Sequence, residues 1–467
     1  LSVRGIADTR VNDRTRLSSP AKTLLSVNGL NGLGLNLSTL FLNVYWYKLT
    51  QDVSVPLLFT LISYAAWLPS FGLAGWFSKR VSRKSTIAIG TVLQLVFFGL
   101  ILLFAEQSAH WIPQLGVMYG IGAGFYWLGI NVLSVDLTTS SNRNWFNGVN
   151  GMIGSITGML GPLLAGWTVS AAPDGVGYPL VFGAAFLCFL LSMLASFRLP
   201  DILVCEPFQL RSMLAVLEQP AWRRLTYAFI ALAFREGVLS AAIGLWVFVA
   251  TRSEGTTGKF AFLTTLISVV SFYVIGRFSQ EYHHRRLMAA GTALFNLSIV
   301  GIAIQMNPST LLLFGIMDAV SRPVFDTPFN TLTYNYVSQF NQGGRISTEL
   351  VVWRECALSV GRISSVGILV MLYKWTDPAS TLGWFMLGIF LIGCLPLLLA
   401  GQLALPGKPA VEGPASCNEK PRDRKVPCYI HHHLSQKRDT ASCNEKPRDR
   451  KVPCYIHHHL SQKRYRP

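Results

Sequence analysis

Gly75-Trp-Phe-Ser-Lys79-Arg80-Val-Ser82-Arg83-Lys84 is a short hydrophilic interruption between two apolar stretches, 54–77 and 85–104. Four cations stand between positions 79 and 84. Each flank supplies the ~20 apolar residues that a helix needs to cross a hydrocarbon core about 30 Å thick. A helix closes its backbone hydrogen bonds within itself, so it can be placed in lipid where an open strand cannot. The interruption therefore reads as a tight basic turn at a membrane surface, joining two spans.

Outward from this turn, apolar segments of spanning length recur near 24–47, 54–77, 85–104, 112–134, 146–170, 178–199, 224–250, 260–280, 287–306, 309–336, 348–373 and 380–403. Twelve such spans use roughly 240 residues, which a chain of 467 accommodates with short loops and a tail. The composition agrees: 51% hydrophobic, 13% charged, mean hydropathy +0.39, against about 25% charged in soluble domains. This composition speaks strongly against a soluble enzyme. The net charge of +17 is divided between loops and the C-terminal tail, so the expected partner is a lipid bilayer and not nucleic acid. The eight cysteines are scattered or lie in the tail, and no disulfide framework is expected.

Loop charge sets the orientation. Lys79, Arg80, Arg83 and Lys84 follow the second span, Arg198, Arg211, Arg223 and Arg224 lie between the sixth and seventh, and Arg277, Arg285 and Arg286 follow the eighth. The opposite connections hold little, such as Lys48 with Asp52 or Glu106 alone. The positive-inside bias makes this a multi-pass protein of the cell membrane with both termini cytoplasmic. Residues 1–23 are polar, without a signal-peptide core, and read as a cytoplasmic segment; Leu1 in place of Met points to an unusual start codon or a trimmed chain.

The polar stretch 200–222 separates the spans six and six, giving bundles at 24–199 and 223–403 and a basic tail at 404–467. Weak similarity at an offset of about 200 residues, Gly75 with Gly276 and Asn131 with Asn330, fits a parallel duplication of six-helix halves. The fold expected is an all-α membrane protein of twelve helices in two pseudo-repeats. In the tail, residues 415–438 recur unchanged as 441–464. The stretch has no apolar periodicity and reads as disordered. Metal binding through Cys417, Cys428 and His431–His433 is a side possibility.

The basic turn resembles the loop signature of the major facilitator superfamily, Gly-x-x-x-Asp-Arg-x-Gly-Arg-Arg/Lys. Gly75, Arg80, Arg83 and Lys84 match; Lys79 replaces the acidic residue and Ser82 the second glycine. In that family the glycine allows close helix approach and the charged loop helps hold the outward-facing state. With a lysine at 79 the usual gating pair cannot be carried over, and a lock has to be built differently. The copy after the eighth span, Gly276 to Arg286, is more degenerate. Gly158, Gly161, Pro162 and Gly166 in the fifth span are similar to the superfamily's antiporter motif, with Ala165 in place of a glycine. That resemblance implies export, while the same small residues also suit close helix packing in lipid.

Ionisable groups at membrane depth face a bundle interior or a wet cavity and mark function or paired structure. Span 7 carries Arg235 and Glu236; span 10 carries Asp318, Arg322 and Asp326 at four-residue intervals; span 11 carries Arg354, Glu355 and Arg362, with Glu349 near its end. Four bases face four acids, which allows a buried ion-pair network. It equally allows Glu236, Asp318, Asp326 or Glu355 to exchange a proton while Arg235, Arg322, Arg354 or Arg362 alternates between carboxylate and substrate. The N-terminal half adds Asn28, Asn31, Asn36 and Asn43, with Tyr126, Trp127 and Asn131, as ligand contacts or interhelical hydrogen bonds. Asn330 is the counterpart of Asn131, and Asp136 and Arg143 flank the inner end of span 4.

No phosphate-cradling Gly-Lys-Ser/Thr loop, His-Glu-x-x-His or Gly-x-Ser-x-Gly element occurs, so no enzymatic activity and no cofactor are expected. The resemblance implies a secondary active transporter, acting as a monomer on a small molecule and protons by alternating access. Proton-coupled export is the leading expectation. Uptake of an organic anion held by Arg235 or Arg322 is the second, and a non-transporting membrane sensor on the same fold the third.

Overall fold

The computed structural model describes residues 17–401, leaving out 139–141, 174, 203–210, 212–214, 216–217, 279–283, 341–346 and 377. The duplicated tail with its cysteines and histidines lies outside these residues, as does the first polar segment up to residue 16.

Twelve long helices make up the described chain: α1 (Ser19–Thr50), α2 (Ser54–Arg80), α3 (Arg83–Phe104), α4 (Ile112–Asp136), α5 (Arg143–Ala171), α6 (Gly177–Ser196), α7 (Pro220–Thr251), α8 (Glu254–Phe278), α9 (His284–Ile304), α10 (Pro308–Phe340), α11 (Ser347–Trp375) and α12 (Pro378–Gly401). Among the described residues, nine stretches are long and apolar enough to cross a membrane, one of them containing both α3 and α4. The two helices that fail this test are informative. α1 carries four asparagines and α10 carries Asp318, Arg322 and Asp326. Polar side chains lower their hydropathy for the reason that brings them to the interior.

Local chemistry sets the ends. Pro20 and Pro220 occupy first turns, where a missing N–H costs nothing. Ser18 accepts a hydrogen bond from the Ala21 N–H at 3.3 Å. The basic turn is shorter than its sequence suggests, because α2 continues through Lys79 and Arg80 and α3 begins at Arg83. Ser82, standing where the superfamily signature has glycine, is the N-cap of α3: its hydroxyl accepts from the Ser85 N–H at 3.1 Å, with extended backbone. A serine does there what a glycine cannot.

The helices pack through aromatic clusters near the two ends. At the basic end, which carries Lys79 to Lys84, Tyr126 and Phe146 pack with α1, and Trp222, Phe229, Phe325 and Phe329 join α7 to α10. At the opposite end, Phe41, Trp46, Phe59, Phe97 and Phe98 form one cluster and Trp246, Phe295 and Phe314 another. The outer face is apolar: Leu103 and Trp384 are 79% and 76% exposed. In water such a surface would drive association, whereas in lipid it is the solvated face. The protein is a multi-pass membrane protein.

Candidate functional site

Between the clusters lie two neighbouring cavities of about 500 and 380 Å³. Thr39 and Asn43 of α1, Ser240 of α7 and Arg322 of α10 line both. The larger runs past Asn36, Pro162 of α5, Phe260 of α8 and Asp318. The smaller runs past Tyr64 and Trp67 of α2, Tyr119 and Trp127 of α4, Glu236 of α7 and Arg362 of α11. Neutral and aromatic groups come mainly from α1 to α4, and ionised groups from α7, α10 and α11.

The shortest acid–base contacts are local pairs, and at longer range Arg235, Glu236, Asp318, Arg322 and Asp326 remain within electrostatic reach of one another. Arg322 Nε donates to Asp318 Oδ2 at 2.6 Å along one face of α10. Asp326, one turn further, lines neither cavity; its Oδ1 lies 4.0 Å from Nη2 of Arg235. Four-residue spacing predicts all three on one helical face, and α10 contains Pro323 and Pro328 between and beyond them. Arg235 is 2% exposed, with its guanidinium 4.3 Å from the centre of the Phe295 ring and 5.5 Å from Phe325. Arg354 and Glu355 are neighbours 3.6 Å apart. Arg362 and Glu355, seven residues apart on α11, do not meet. Arg362 instead sits over the rings of Trp67 and Tyr64, at 5.4 and 5.8 Å, and its buried Nη1 has no hydrogen-bond partner. Among the described residues Glu236 has no cation within 4.0 Å.

The asparagines divide. Asn28 accepts from the Tyr126 hydroxyl at 3.0 Å and donates to Asn150 at 2.7 Å, and Asn31 donates to Gln94 at 2.6 Å. These are interhelical bonds joining α1 to α3, α4 and α5. Asn36 bonds Gly32 and Thr157 yet still lines the larger cavity. Asn131 and Asn330 are half-buried and line neither cavity.

Contacts between the first six helices and the last six flank the cavities. Toward the basic end, Lys79 Nζ donates to Glu349 Oε1 of α11 at 2.7 Å, both side chains buried. Phe71 and Ala74 of α2 pack there with Val352. Toward the opposite end, Lys48 and Tyr178 both donate to Glu254 of α8, at 2.8 and 3.1 Å, and Leu57 packs among α7 and α11. The remaining signature residues stay within the first six helices: Gly75 is buried, Arg80 lies over the Trp76 ring, and Arg83 pairs with Asp136. Lys84 is half-buried. The side chain of Arg143 and most of the turn after α8 lie outside the described residues.

The small residues of α5 serve helix approach. A Cβ on Gly161 would stand 2.7 Å from Asn36 Cβ, and one on Gly166 would stand 2.8 Å from the Glu254 carbonyl oxygen of α8. Gly258 meets the Pro162 carbonyl oxygen at 2.6 Å in the same sense, and Gly158 lines the larger cavity. Sequence reasoning missed the Lys79–Glu349 pair and the Tyr64–Trp67–Arg362 group. A lysine breaking a signature and an arginine seven residues from an acid were the available signals. Among the described residues, no group of three His, Cys, Asp or Glu is placed to hold a metal ion.

Two bundles flanking a polar cavity, with contacts at both of its ends, define a transporter architecture. Residues 24–347 match the family model described as Major Facilitator Superfamily, and the chain belongs to that family. It is 30% identical over 369 residues to the uncharacterized protein YqgE of Bacillus subtilis (strain 168), covering 78% of this chain and 86% of that protein. A Geobacillus stearothermophilus protein from the sodM 3' region is 35% identical over 159 residues, 34% of this chain and 74% of that one. Similar solved structures include an auto-inhibited POT family peptide transporter (TM-score 0.65, 14% identity, 85% of this chain and 99% of that one) and a D-xylose-proton symporter (0.60, 13%, 81% and 96%). The human organic anion transporter MFSD10 is also similar (0.60, 15%, 82% and 100%). At these identities the likeness extends to the fold. The protein is a membrane transporter of this superfamily.

Proposed function

We propose that the protein is a proton-coupled secondary transporter of the cell membrane that exports a small organic molecule by alternating access. The observation that carries this reading is Glu236, a carboxylate with no cation within 4.0 Å among the described residues, on the wall of the smaller cavity beside Arg322, whose salt-bridge partner Asp318 lines the larger one. A carboxylate in a low-dielectric cavity is driven toward its protonated form, and a guanidinium moving toward it reverses that preference. Arg322 lines both cavities and can be shared between Asp318 and Glu236 as the helices shift. Proton occupancy would then follow conformation, which is what coupling requires.

In this reading the basic end is cytoplasmic, Lys79–Glu349 closes the cytoplasmic side and Lys48–Glu254 with Leu57 closes the other. The protein works as a monomer, with both termini in the cytoplasm. Export rests on the likeness of Gly158–Gly166 to the antiporter motif, whose glycines bring α5 against α1 and α8.

The test starts from a thermal-shift screen of small organic molecules on the purified protein, since a specific ligand raises the unfolding midpoint by mass action. Ligands found in this way are added to proteoliposomes holding an imposed pH gradient, followed with a pH-sensitive dye. Ligand-dependent collapse of the gradient, lost in Glu236→Gln, is the expected result. Ligand movement with no proton flux at any pH would overturn the coupling.

A further inference from the structure

The smaller cavity carries three charged side chains, Glu236, Arg322 and Arg362. Arg322 is already neutralised by Asp318 at 2.6 Å. Glu236 of α7 and Arg362 of α11 form no salt bridge within 4.0 Å among the described residues, although Glu236 lies within longer electrostatic reach of Arg322. Among the described residues Arg362 has no carboxylate within 4.0 Å; it rests on the faces of Trp67 and Tyr64, and its Nη1 is buried without an acceptor. Glu236 faces the same space from α7, with no cation within 4.0 Å among the described residues. Charges in a low-dielectric cavity are stabilised by a close counter-charge, so two unlike charges facing one cavity without a salt bridge of their own suit a ligand that carries both signs.

From this we infer that the smaller cavity binds a zwitterion, an amino-acid-like molecule with an aromatic or apolar side chain, whose anionic group pairs with Arg362 and whose ammonium group pairs with Glu236. The cavity's size of about 380 Å³ falls at the small end of the roughly 300–1,000 Å³ of ligand pockets. Its walls fit the apolar part: Trp67, Trp127 and Tyr119 supply ring faces, and Thr39, Asn43 and Ser63 supply neutral hydrogen-bonding groups. A guanidinium placed over aromatic rings still has N–H donors to offer a carboxylate, and Nη1 of Arg362 has no other acceptor. Arg235 and Arg322, which the sequence offered as anion holders, are engaged elsewhere: Arg235 with Asp326 and two phenylalanines, Arg322 with Asp318. The inference rests on the transporter reading, but its claim concerns ligand charge alone.

Four ligands of one skeleton test it on the full chain in lipid nanodiscs: 3-(1-naphthyl)alanine, its amide, its N-acetyl derivative and the N-acetyl amide, which are zwitterion, cation, anion and neutral molecule. Binding is measured by calorimetry. A charge-assisted hydrogen bond to a buried ion is worth about 10- to 100-fold in affinity, so the zwitterion should bind tightest, each single-charge form about 10-fold or more weaker, and the neutral form weakest. Arg362→Gln should abolish the preference for the free carboxylate, and Glu236→Gln the preference for the free ammonium, with Arg362→Lys retaining part of the former. Equal binding of zwitterion and either single-charge form, unchanged discrimination in both variants, or binding of none of the four overturns the inference. Proton flux with whichever form binds separates the two claims. Flux driven by the cation or anion alone leaves the transporter reading standing without the zwitterion, while a bound zwitterion that drives no flux does the reverse.

Discussion

Lys79 of α2 and Glu349 of α11 form a buried ion pair, Nζ to Oε1 at 2.7 Å, between the first six helices and the last six. The superfamily signature has an acid at position 79, and here the charge is inverted. Removing one member of a buried pair strands the other charge and costs ~3–5 kcal/mol. Lys79→Met and Glu349→Gln should therefore each lower the unfolding free energy of the purified protein by about that much. The exchanged pair, Lys79→Glu with Glu349→Lys, should recover more than half of the loss. A double-mutant cycle on thermal unfolding measures the coupling, and additive losses would remove the pair from the gate.

Lys48 and Glu254 are also 2.8 Å apart, but the lysine side chain is 48% exposed. An exposed pair is worth ~0–1 kcal/mol. Lys48→Ala should change unfolding by less than about 1 kcal/mol, several-fold less than Lys79→Met. Both pairs are Lys–Glu at similar distance but differ in burial, and Tyr178 still donates to Glu254 once Lys48 is removed, so equal effects from the two lysines would contradict the packing described at the basic end.

Close helix approach makes a separate prediction. At Gly361 of α11, a Cβ would stand 2.8 Å from Phe234 N and 2.9 Å from Ala233 Cβ of α7, and would also meet the Ile230 carbonyl oxygen. Backbone cannot move aside as a flexible side chain can. Gly361→Val should force α7 and α11 apart and cost at least the ~1–3 kcal/mol of an overpacked core. At Gly154 of α5 nothing lies within 4 Å of the same position. Gly154→Ala should be neutral or stabilising by up to about 1 kcal/mol, from backbone entropy alone. Unfolding midpoints of the two variants in one detergent check both signs.

Much of this architecture was legible in residue order, because lipid punishes an unpaired backbone and leaves long apolar runs only one structure. All twelve spans correspond to helices. The helices whose hydropathy is weakest, α1 and α10, were still legible as apolar segments of spanning length, 24–47 and 309–336. Side-chain pairing was less legible. Spacing of four put Asp318, Arg322 and Asp326 on one stripe, but which neighbour each meets depends on α7 lying beside α10, and no local pattern encodes that distance. Asn28 and Asn31 look like ligand groups in a list of residues. Their partners Asn150 and Gln94 are 122 and 63 positions away, and only packing reveals that the asparagines are occupied. The inverted charge at Lys79 announced a departure without saying where its acid would come from.

Glu236 and Asp326 were equivalent in the sequence, two acids in polar helices, and their surroundings now separate them. Asp326 faces Arg235, which is 2% exposed and packed on two phenylalanines, at 4.0 Å. Among the described residues no other carboxylate lies within 4.0 Å of that guanidinium. Asp326→Asn would leave a buried cation without its counter-charge, so it should lower stability by on the order of 3 kcal/mol, the lower end of the range for a broken buried pair at this long separation. Glu236 holds no such partner and faces a cavity. Glu236→Gln, an isosteric change, should leave the unfolding midpoint within about 1 kcal/mol of the parent, as substitutions outside a packed network do, and remove ligand-driven proton flux in proteoliposomes. Folding and coupling are thus read by different instruments on the same two variants. If Asp326→Asn kept full stability and lost proton flux while Glu236→Gln kept it, the proton would have to be carried beside Arg235 and not in the cavity.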